Sequence, residues 1–460
     1  MELRIDRQAL VPVVQQIVDG MTEWVAQSGV APATRLPSVR QIARGNLLSQ
    51  SCVTEACERL VAQGILASCQ GTGFMVAASP KTLCGQGEGE AGCSGFYGAA
   101  GGLKLGGGGL PESWRESDDL SYAIREVART DMASLFNYSS AAGLPALREQ
   151  IVKRLKIFNI DAPAEQLLTT AGASHALDLI VRTLLQAGDC VVVETPGYAP
   201  LFNLLRLNGV NMIEVRRTPT GPDLDALERL LGEFRPVAMF INSHHHNPTG
   251  TSLTAAAAQQ VLYLCRLHDV RLIEDDVYAD LHSGNGTRLA ALDERVIYVG
   301  SFSKTLSSSL RVGFVLAEPE VIARLAQVKM ISSMGASSFS EAVVASLMAS
   351  GAYRKLVQRQ RQRQRLNTDR TAALQLLEDA DWEVFGKPTG GLFIWARAPQ
   401  TDDVRLCRQA QRSGVLLSAS SVFSPSGESS DWQRINVAHA CDPRARQFFR
   451  NTCADRPRVS

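Results

Sequence analysis

At 460 residues the chain is too long for one ordinary core, and 45% hydrophobic against 20% charged residues excludes a disordered or fibrous protein. No run of 18 or more predominantly apolar, charge-free residues offers a membrane span, and the charged N-terminus MELRIDRQAL lacks a signal peptide's apolar core, so a cytoplasmic protein is expected. A formal net charge of +1 gives no global field for nucleic acid or membrane, and any DNA contact must rest on local pattern.

Residues 1–78 read as helices followed by a short hairpin. Val39, Ile42 and Ala43, then Val53, Ala56 and Leu60, fall at three- and four-residue spacings, which predicts two helices. GNLLSQ between them supplies the glycine-containing turn of a helix-turn-helix. Ser49 or Ser51 is the expected N-cap of the second helix, whose first turn would face a major groove. Gly64 ends that helix, and GILASCQGTGFMV predicts two short strands around Gly71 and Gly73, forming a wing.

Leu36-Pro37-Ser38-Val39-Arg40, the Ser49-centred turn and the Gly71-Thr72-Gly73 wing resemble the GntR family of winged-helix regulators, over residues 10–78. The resemblance implies DNA contacts by Ser38, Arg40, Ser49, Gln50, Ser51, Gly71 and Gly73, with Arg40 as the motif's DNA-contacting arginine. The family's recognition helix usually opens on Ser-Arg, whereas this chain has Ser49-Gln50. Glutamine cannot neutralise a phosphate or fork onto guanine, but it can pair with adenine, so an altered base preference is expected. The six arginines of residues 1–78 are matched by six carboxylates, which leaves binding to dimerisation and local charge placement. A winged helix used for protein contact is the alternative.

Residues 79–109, SPKTLCGQGEGEAGCSGFYGAAGGLKLGGGG, hold too many glycines and too few large apolar groups to offset the entropy of ordering. A flexible linker is expected over 79–104. The GGGGLP at the end of this region could already belong to the next domain, where glycines let backbone approach a ligand closely. The ten cysteines are scattered and read as reduced thiols, with Cys84 and Cys93 in the linker as either solvated thiols or a redox-reporting pair.

From residue 166 onward, short apolar runs (LLTT, CVVVE, MIEV, AMFIN, RLIED, VIYVG, VGFVL) alternate with helical ones. That alternation predicts an α/β domain with a mostly parallel sheet covered on both faces. The last hundred residues open on an Arg/Gln-rich helix and continue as a smaller α+β lobe.

Ser301-Phe302-Ser303-Lys304, with Arg311 seven positions after the lysine, closes one apolar run. A lysine there can form a Schiff base with an aldehyde while the serines and the arginine hold that cofactor's phosphate. Asp275 ends RLIED, where a carboxylate can pair with a protonated pyridine nitrogen, and Tyr278 follows three residues later, where a hydroxyl can bond the ring's phenolic oxygen. Asn247-Pro248-Thr249-Gly250 closes another run, and Thr170-Ala171-Gly172-Ala173-Ser174 opens a helix whose free N–H groups make an anion site.

Four strand-end motifs in this order resemble the fold-type I, class I aminotransferases over residues 105–445. The resemblance implies pyridoxal 5′-phosphate on Lys304, the pyridinium contact at Asp275, and phenolate contacts at Asn247 and Tyr278. Tyr198 would stack on the ring, and Ala173, Ser174, Ser301, Ser303 and Arg311 would cradle the phosphate. Tyr138 would reach the partner subunit's phosphate, and Arg434 would clamp a substrate carboxylate. Ala173 stands where the family has a hydroxyl and Ser174 where it commonly has glutamine, which predicts a looser phosphate site. His244, His245 and His246 are consecutive, so their rings would alternate if extended; a solvated or strand-end run is expected, with no metal.

A GntR-type winged helix over 1–78, a linker over 79–104 and an aminotransferase-like domain over 105–460 together resemble the MocR subfamily of bacterial regulators. That resemblance implies a homodimer on double-stranded operator DNA, with pyridoxal phosphate, alone or together with a small amino compound, as effector. The competing expectation is a working aminotransferase acting on an amino acid, with Lys304 as its catalytic proton shuttle.

Overall fold

Apolar spacing gives residues 13–76 their core in the computed structural model, which describes residues 5, 13–27, 34–62, 66–69, 73–76, 102–115, 118–130, 136–281, 286–362, 365–399 and 401–454. The chain divides into two units, Met1–Gly89 and Glu90–Ser460. In the first, helices α1 (Val13–Gln27), α2 (Val39–Gly45) and α3 (Gln50–Ala62) precede the antiparallel hairpin β1 (Leu66–Cys69) and β2 (Gly73–Val76). Ile17, Val18 and Met21 of α1 meet Ile42 and Ala43 of α2, Val53, Ala56 and Leu60 of α3, and Leu66 and Val76 of the hairpin.

The caps explain where these helices begin. Ser38 and Gln41 form a capping box at α2, Ser38 N donating to Gln41 Oε1 at 2.9 Å and Gln41 N to Ser38 Oγ at 3.3 Å. At α3, Ser49 Oγ accepts from Cys52 N at 3.2 Å, so Ser49 is the cap and Ser51 lies inside the first turn. Gly71, Cys84, Cys93 and the linker expected up to residue 101 lie outside the described residues. The expected linker extends three residues too far: Leu103 pairs with Val415 and its N–H donates to Gly414 O at 2.9 Å, so residues 102–104 already belong to the packed second unit.

In the second unit, each apolar run anticipated from the sequence forms a strand: β3 (Leu167–Thr170), β4 (Cys190–Thr195), β5 (Asn211–Thr218), β7 (Ala238–Ile241), β8 (Arg271–Asp275), β9 (Ile297–Ser301) and β10 (Gly313–Leu316). With the two-residue β6 (Gly221–Pro222) they make one eight-stranded sheet, in the order β3-β10-β9-β8-β7-β4-β5-β6. Pairing is parallel from β5 through β9, whereas β10 runs antiparallel to β9 and β3. The connection from β9 to β10, residues 302–312, is too short for a parallel crossover, which forces the reversal.

Val191 and Val193 enter one core beneath the helices Ala173–Leu184 and Pro319–Ser333, while Val192 enters another beneath Leu224–Phe234 and Ala255–Leu267. A three-stranded antiparallel sheet, β11 (Glu383–Val384), β12 (Phe393–Arg397) and β13 (Trp432–Asn436), builds the smaller lobe. The Arg/Gln-rich stretch is described as two helices, Ala352–Gln362 and Arg365–Asp379. Among the described residues no helix is long and apolar enough to cross a membrane. The topology has one consequence for chemistry: β3, β4, β7, β8 and β9 end, and β10 begins, along the same edge of the sheet.

Candidate functional site

That edge opens on a cavity of about 900 Å³. Its lining brings together Ala173, Ser174, Tyr198, Asn247, Asp275, Tyr278, Ser301, Ser303, Lys304, Arg311 and Arg434, which are more than 260 positions apart at their extremes. Tyr138 is not among them: it is 80% exposed and borders a separate surface depression with Met334 and Ser337.

Lys304 donates from Nζ to Gly108 O at 2.7 Å and stands 5.5 Å from the centre of the Tyr278 ring. Burial first, then the Arg434 guanidinium, push its amine down to about 8, against the pull of the Asp275 carboxylate. A lysine so placed carries a substantial neutral, nucleophilic fraction at ordinary pH. Burial pushes Asp275 up to about 7, opposed by the Val277 N–H that its Oδ1 accepts at 3.3 Å. A cation arriving beside that carboxylate would restore its charge.

Arg434, on β13, is pinned from three sides. Its Nε and Nη2 donate to Gly106 O at 3.0 and 2.6 Å, its Nη1 donates to Asn247 Oδ1 at 2.8 Å, and its guanidinium lies 4.8 Å from the centres of both the Phe393 and Phe423 rings. With Asn247 Oδ1 occupied as acceptor, the amide nitrogen is the side chain's remaining donor.

Two positioning elements complete the site, one missed in the sequence and one anticipated there only as glycine backbone able to approach a ligand closely. Asn242, just after β7, donates from Nδ2 to Asp275 O at 2.6 Å and accepts Asn247 N on Oδ1 at 2.7 Å, tying the pyridine-side and phenolate-side residues together. Its own N–H donates to Glu194 at 2.9 Å, and Glu194 is buried in an ion pair with Arg217 at 2.6 Å. The second element is Gly106–Gly109, whose carbonyls hold Arg434, Lys304 and Asn436. A Cβ on Gly106 would lie 2.5 Å from Ser418 N, so only glycine fits there.

At the cavity's other end, the helix Ala173–Leu184 starts at Gly172 (φ 87°) with no side-chain cap, leaving its first amides available. Arg311 donates from Nη2 to Ala171 O at 3.1 Å, and a Cβ on Gly172 would come within 2.6 Å of that nitrogen. Ser303 Oγ is buried without a hydrogen-bond partner. An uncapped helix start, an arginine and an unsatisfied hydroxyl together suit a phosphate, so these residues fit the expected cofactor.

The three histidines do not form the solvated run offered as one expectation; all are buried. His246 Nδ1 lies 2.9 Å from Thr249 Oγ1, and burial together with the Arg217 charge holds this imidazole well below its usual pKa. In the first unit, Ser38, Arg40, Ser49, Gln50 and Ser51 are all exposed, and Gly73 opens β2.

A model of the family described as aminotransferase class I and II matches residues 101–448. Bacillus subtilis (strain 168) has a similar protein named uncharacterized HTH-type transcriptional regulator YdfD, 26% identical over 93% of both chains. A 2-aminoadipate transaminase of Thermus thermophilus is 30% identical over 72% of this chain and 84% of its own. Among solved structures, the α-aminoadipate aminotransferase LysN of Thermus thermophilus, complexed with N-(5′-phosphopyridoxyl)-L-leucine, superposes with a TM-score of 0.71 at 26% identity, covering 77% of this chain and 94% of that one.

Proposed function

Since the chain belongs to the class I and II aminotransferase family, we propose that it is a pyridoxal-phosphate-dependent, sequence-specific DNA-binding transcription regulator, its second unit the sensor and residues 1–78 the reader. The second unit has the fold-type I aminotransferase α/β fold with a mixed sheet, and its cofactor is pyridoxal 5′-phosphate. The observation that carries the regulator reading is the alignment with the HTH-type regulator over 93% of both chains, reader region included. Three helices and a hairpin in residues 13–76, with exposed polar residues at the start of α2 and α3, are what a winged helix offers to DNA.

When bound, the cofactor supplies an aldehyde and an electron-withdrawing ring. Lys304 presents a partly neutral Nζ to that aldehyde, and Asp275 presents a carboxylate able to hold a proton on the ring nitrogen. Asn247 and Tyr278 would donate to the phenolic oxygen, Tyr198 would pack on the ring, and Ala173, Ser174, Ser301, Ser303 and Arg311 would hold the phosphate. Arg434 binds a carboxylate of an amino compound that reaches the cavity.

A homodimer completes this reading. Phe136, Tyr138, Ile331 and Met334 are exposed apolar side chains, and Tyr138 sits away from its own chain's cavity, as a residue serving a partner would. A two-fold dimer puts two readers on successive major grooves, about 34 to 36 Å apart. Coupling of about 1 to 3 kcal/mol between ligand and DNA suffices for regulation.

The test is binding of the purified protein to DNA from its own upstream region, with and without pyridoxal phosphate, while following the cofactor's absorbance. Specific, cofactor-sensitive binding supports the regulator. The second reading, an aminotransferase, draws on the assembled set around Lys304, and rapid turnover of an amino acid without DNA binding would establish it in place of the first.

A further inference from the structure

Four buried polar residues that do not line the cavity, Arg154, Asp280, Thr305 and Tyr353, join the turn that carries Lys304 to the turn that carries Tyr278. Thr305 follows Lys304 directly, and its Oγ1 lies 2.8 Å from the hydroxyl of Tyr353, in the helix Ala352–Gln362. The Tyr353 hydroxyl donates in turn to Asp280 Oδ2. Asp280 sits in the single helical turn Ala279–Leu281 that follows Tyr278, whose carbonyl accepts the Leu281 N–H at 2.9 Å. Arg154 closes the chain as a fork, donating from Nε to Asp280 Oδ1 at 3.0 Å and from Nη2 to Oδ2.

The order of donors follows from the groups themselves. An ion-paired carboxylate only accepts, so Tyr353 gives its single proton to Asp280, and its oxygen is left to accept from Thr305. Burial and the Asp280 charge hold the phenol well above its usual pKa, which keeps that proton in place. The Tyr353 ring stands edge-on to Phe302 at 5.4 Å, two residues before Lys304, and the Arg154 guanidinium lies 5.6 Å from the centre of the same Phe302 ring. Backbone bonds close the lysine turn at its ends, Phe302 N–H donating to Val312 O at 3.1 Å and Leu306 N–H to Phe302 O at 2.9 Å. Between those ends, Thr305 ties the turn to a helix 48 positions further on. A buried network of this kind is satisfied in one arrangement and costly in others, so it specifies where its members stand.

We propose that Tyr353 is a positioning residue for the cofactor: by holding Thr305 and Asp280 together, it fixes the Lys304 amine relative to the Tyr278 hydroxyl. The inference rests on the reading that pyridoxal phosphate binds at Lys304, and the test keeps the two apart. Tyr353→Phe keeps the ring against Phe302 and removes the bridging hydroxyl. Thr305→Val removes the other end of the same bond and leaves Arg154, Asp280 and Tyr353 in place. For each variant the cofactor-loaded full-length protein is titrated with acid and base while its visible band is followed, and the cofactor-free protein is melted in parallel.

A donor to an anionic oxygen favours the deprotonated form, so loosening Tyr278 against the ring's phenolic oxygen should move the band's pH midpoint up by about 0.5 units or more. Cofactor retention, measured by dialysis, should fall about three- to tenfold, the worth of one hydrogen bond misaligned or lost. Thr305→Ser, which keeps the hydroxyl, should retain both values of the unaltered protein. The double variant should shift no further than Tyr353→Phe alone, since both changes cut the same link. A midpoint and a retention that stay unchanged while the melting temperature falls overturn the proposal and leave the network a part of the core alone. Shifts that add in the double variant overturn it as well. Should Tyr353→Phe fail to fold, Thr305→Val against Thr305→Ser decides in the same terms. If the unaltered protein takes up no cofactor, or Lys304→Ala keeps the band, the reading at Lys304 fails and this inference falls with it.

Discussion

The two units expose their candidate residues in opposite ways. In the first, Ser38, Arg40, Ser49, Gln50 and Ser51 stand in solvent on the starts of two helices, and their neighbours constrain them only through caps. In the second, Asn247, Tyr278, Ser301 and Arg434 are buried, and each polar atom either has a protein partner or faces the cavity. Buried polar groups cost free energy unless satisfied, so the second site's geometry is over-determined by the fold, whereas the first site's chemistry waits on its partner. Substitutions should therefore act on ligand chemistry in one unit and on surface recognition or local helix stability in the other.

The largest effect is expected at Lys304. Lys304→Ala should abolish the bound cofactor's visible absorbance entirely without changing the far-ultraviolet circular dichroism; a persistent band would dissolve the contrast by removing the lysine from the site. Next, Asp275→Asn should weaken cofactor retention by about 10- to 100-fold, the worth of one charge-assisted hydrogen bond, measured by dialysis. The same change should raise the melting temperature of the cofactor-free protein above pH 7. The buried carboxyl titrates at about 7 rather than near its unfolded value, so its charging penalty is complete above 7 and fades as pH falls towards the unfolded pKa.

Uptake of pyridoxal phosphate should slow by about tenfold per pH unit below 8, because only the neutral Lys304 amine attacks an aldehyde, and stopped-flow absorbance would show it. Arg40→Ala should weaken operator binding by about tenfold and leave the cofactor band untouched; unchanged DNA affinity would take Arg40 out of the reader. The smallest effect sharpens the contrast most. Ser38→Ala removes one half of a capping box and should cost about 1 kcal/mol in a melt; a loss in DNA affinity beyond that would make Ser38 a contact as well as a cap.

Legibility in the sequence followed the same divide. The strands of the main sheet were readable because buried parallel strands are written as uninterrupted apolar runs, and Lys304, Asp275, Asn247 and Tyr278 stand at or just beyond the ends of those runs. Asn242 stood in the same kind of place, one residue past β7, yet its work is done through backbone partners at Asp275 and Asn247 that no local motif announces. The GGGGLP segment was flagged as close-approaching backbone, but the tasks of the Gly106–Gly109 carbonyls were invisible for another reason. Their roles depend on β13 and the 414–418 segment, some three hundred positions away, coming to lie beside them. The histidine run misled because three polar residues beside a turn suggest solvent, whereas here the fold closes over them. The end of the linker was placed late because glycine richness looks the same whether a segment is loose or packed too tightly for side chains.

That last ambiguity bears on how the second unit can be handled from outside. The described chain enters it at Gly102, is stitched to Val415 and Leu416 within a few residues, and by Gly108 is the acceptor for the cofactor lysine. Doorstep and hearth are one piece of backbone. Only Gly107 separates the stitched Gly106 from the carbonyl that accepts from Lys304 Nζ at 2.7 Å, so a shift at the entrance should be felt at that hydrogen bond, since close-packed interiors pass small shifts on.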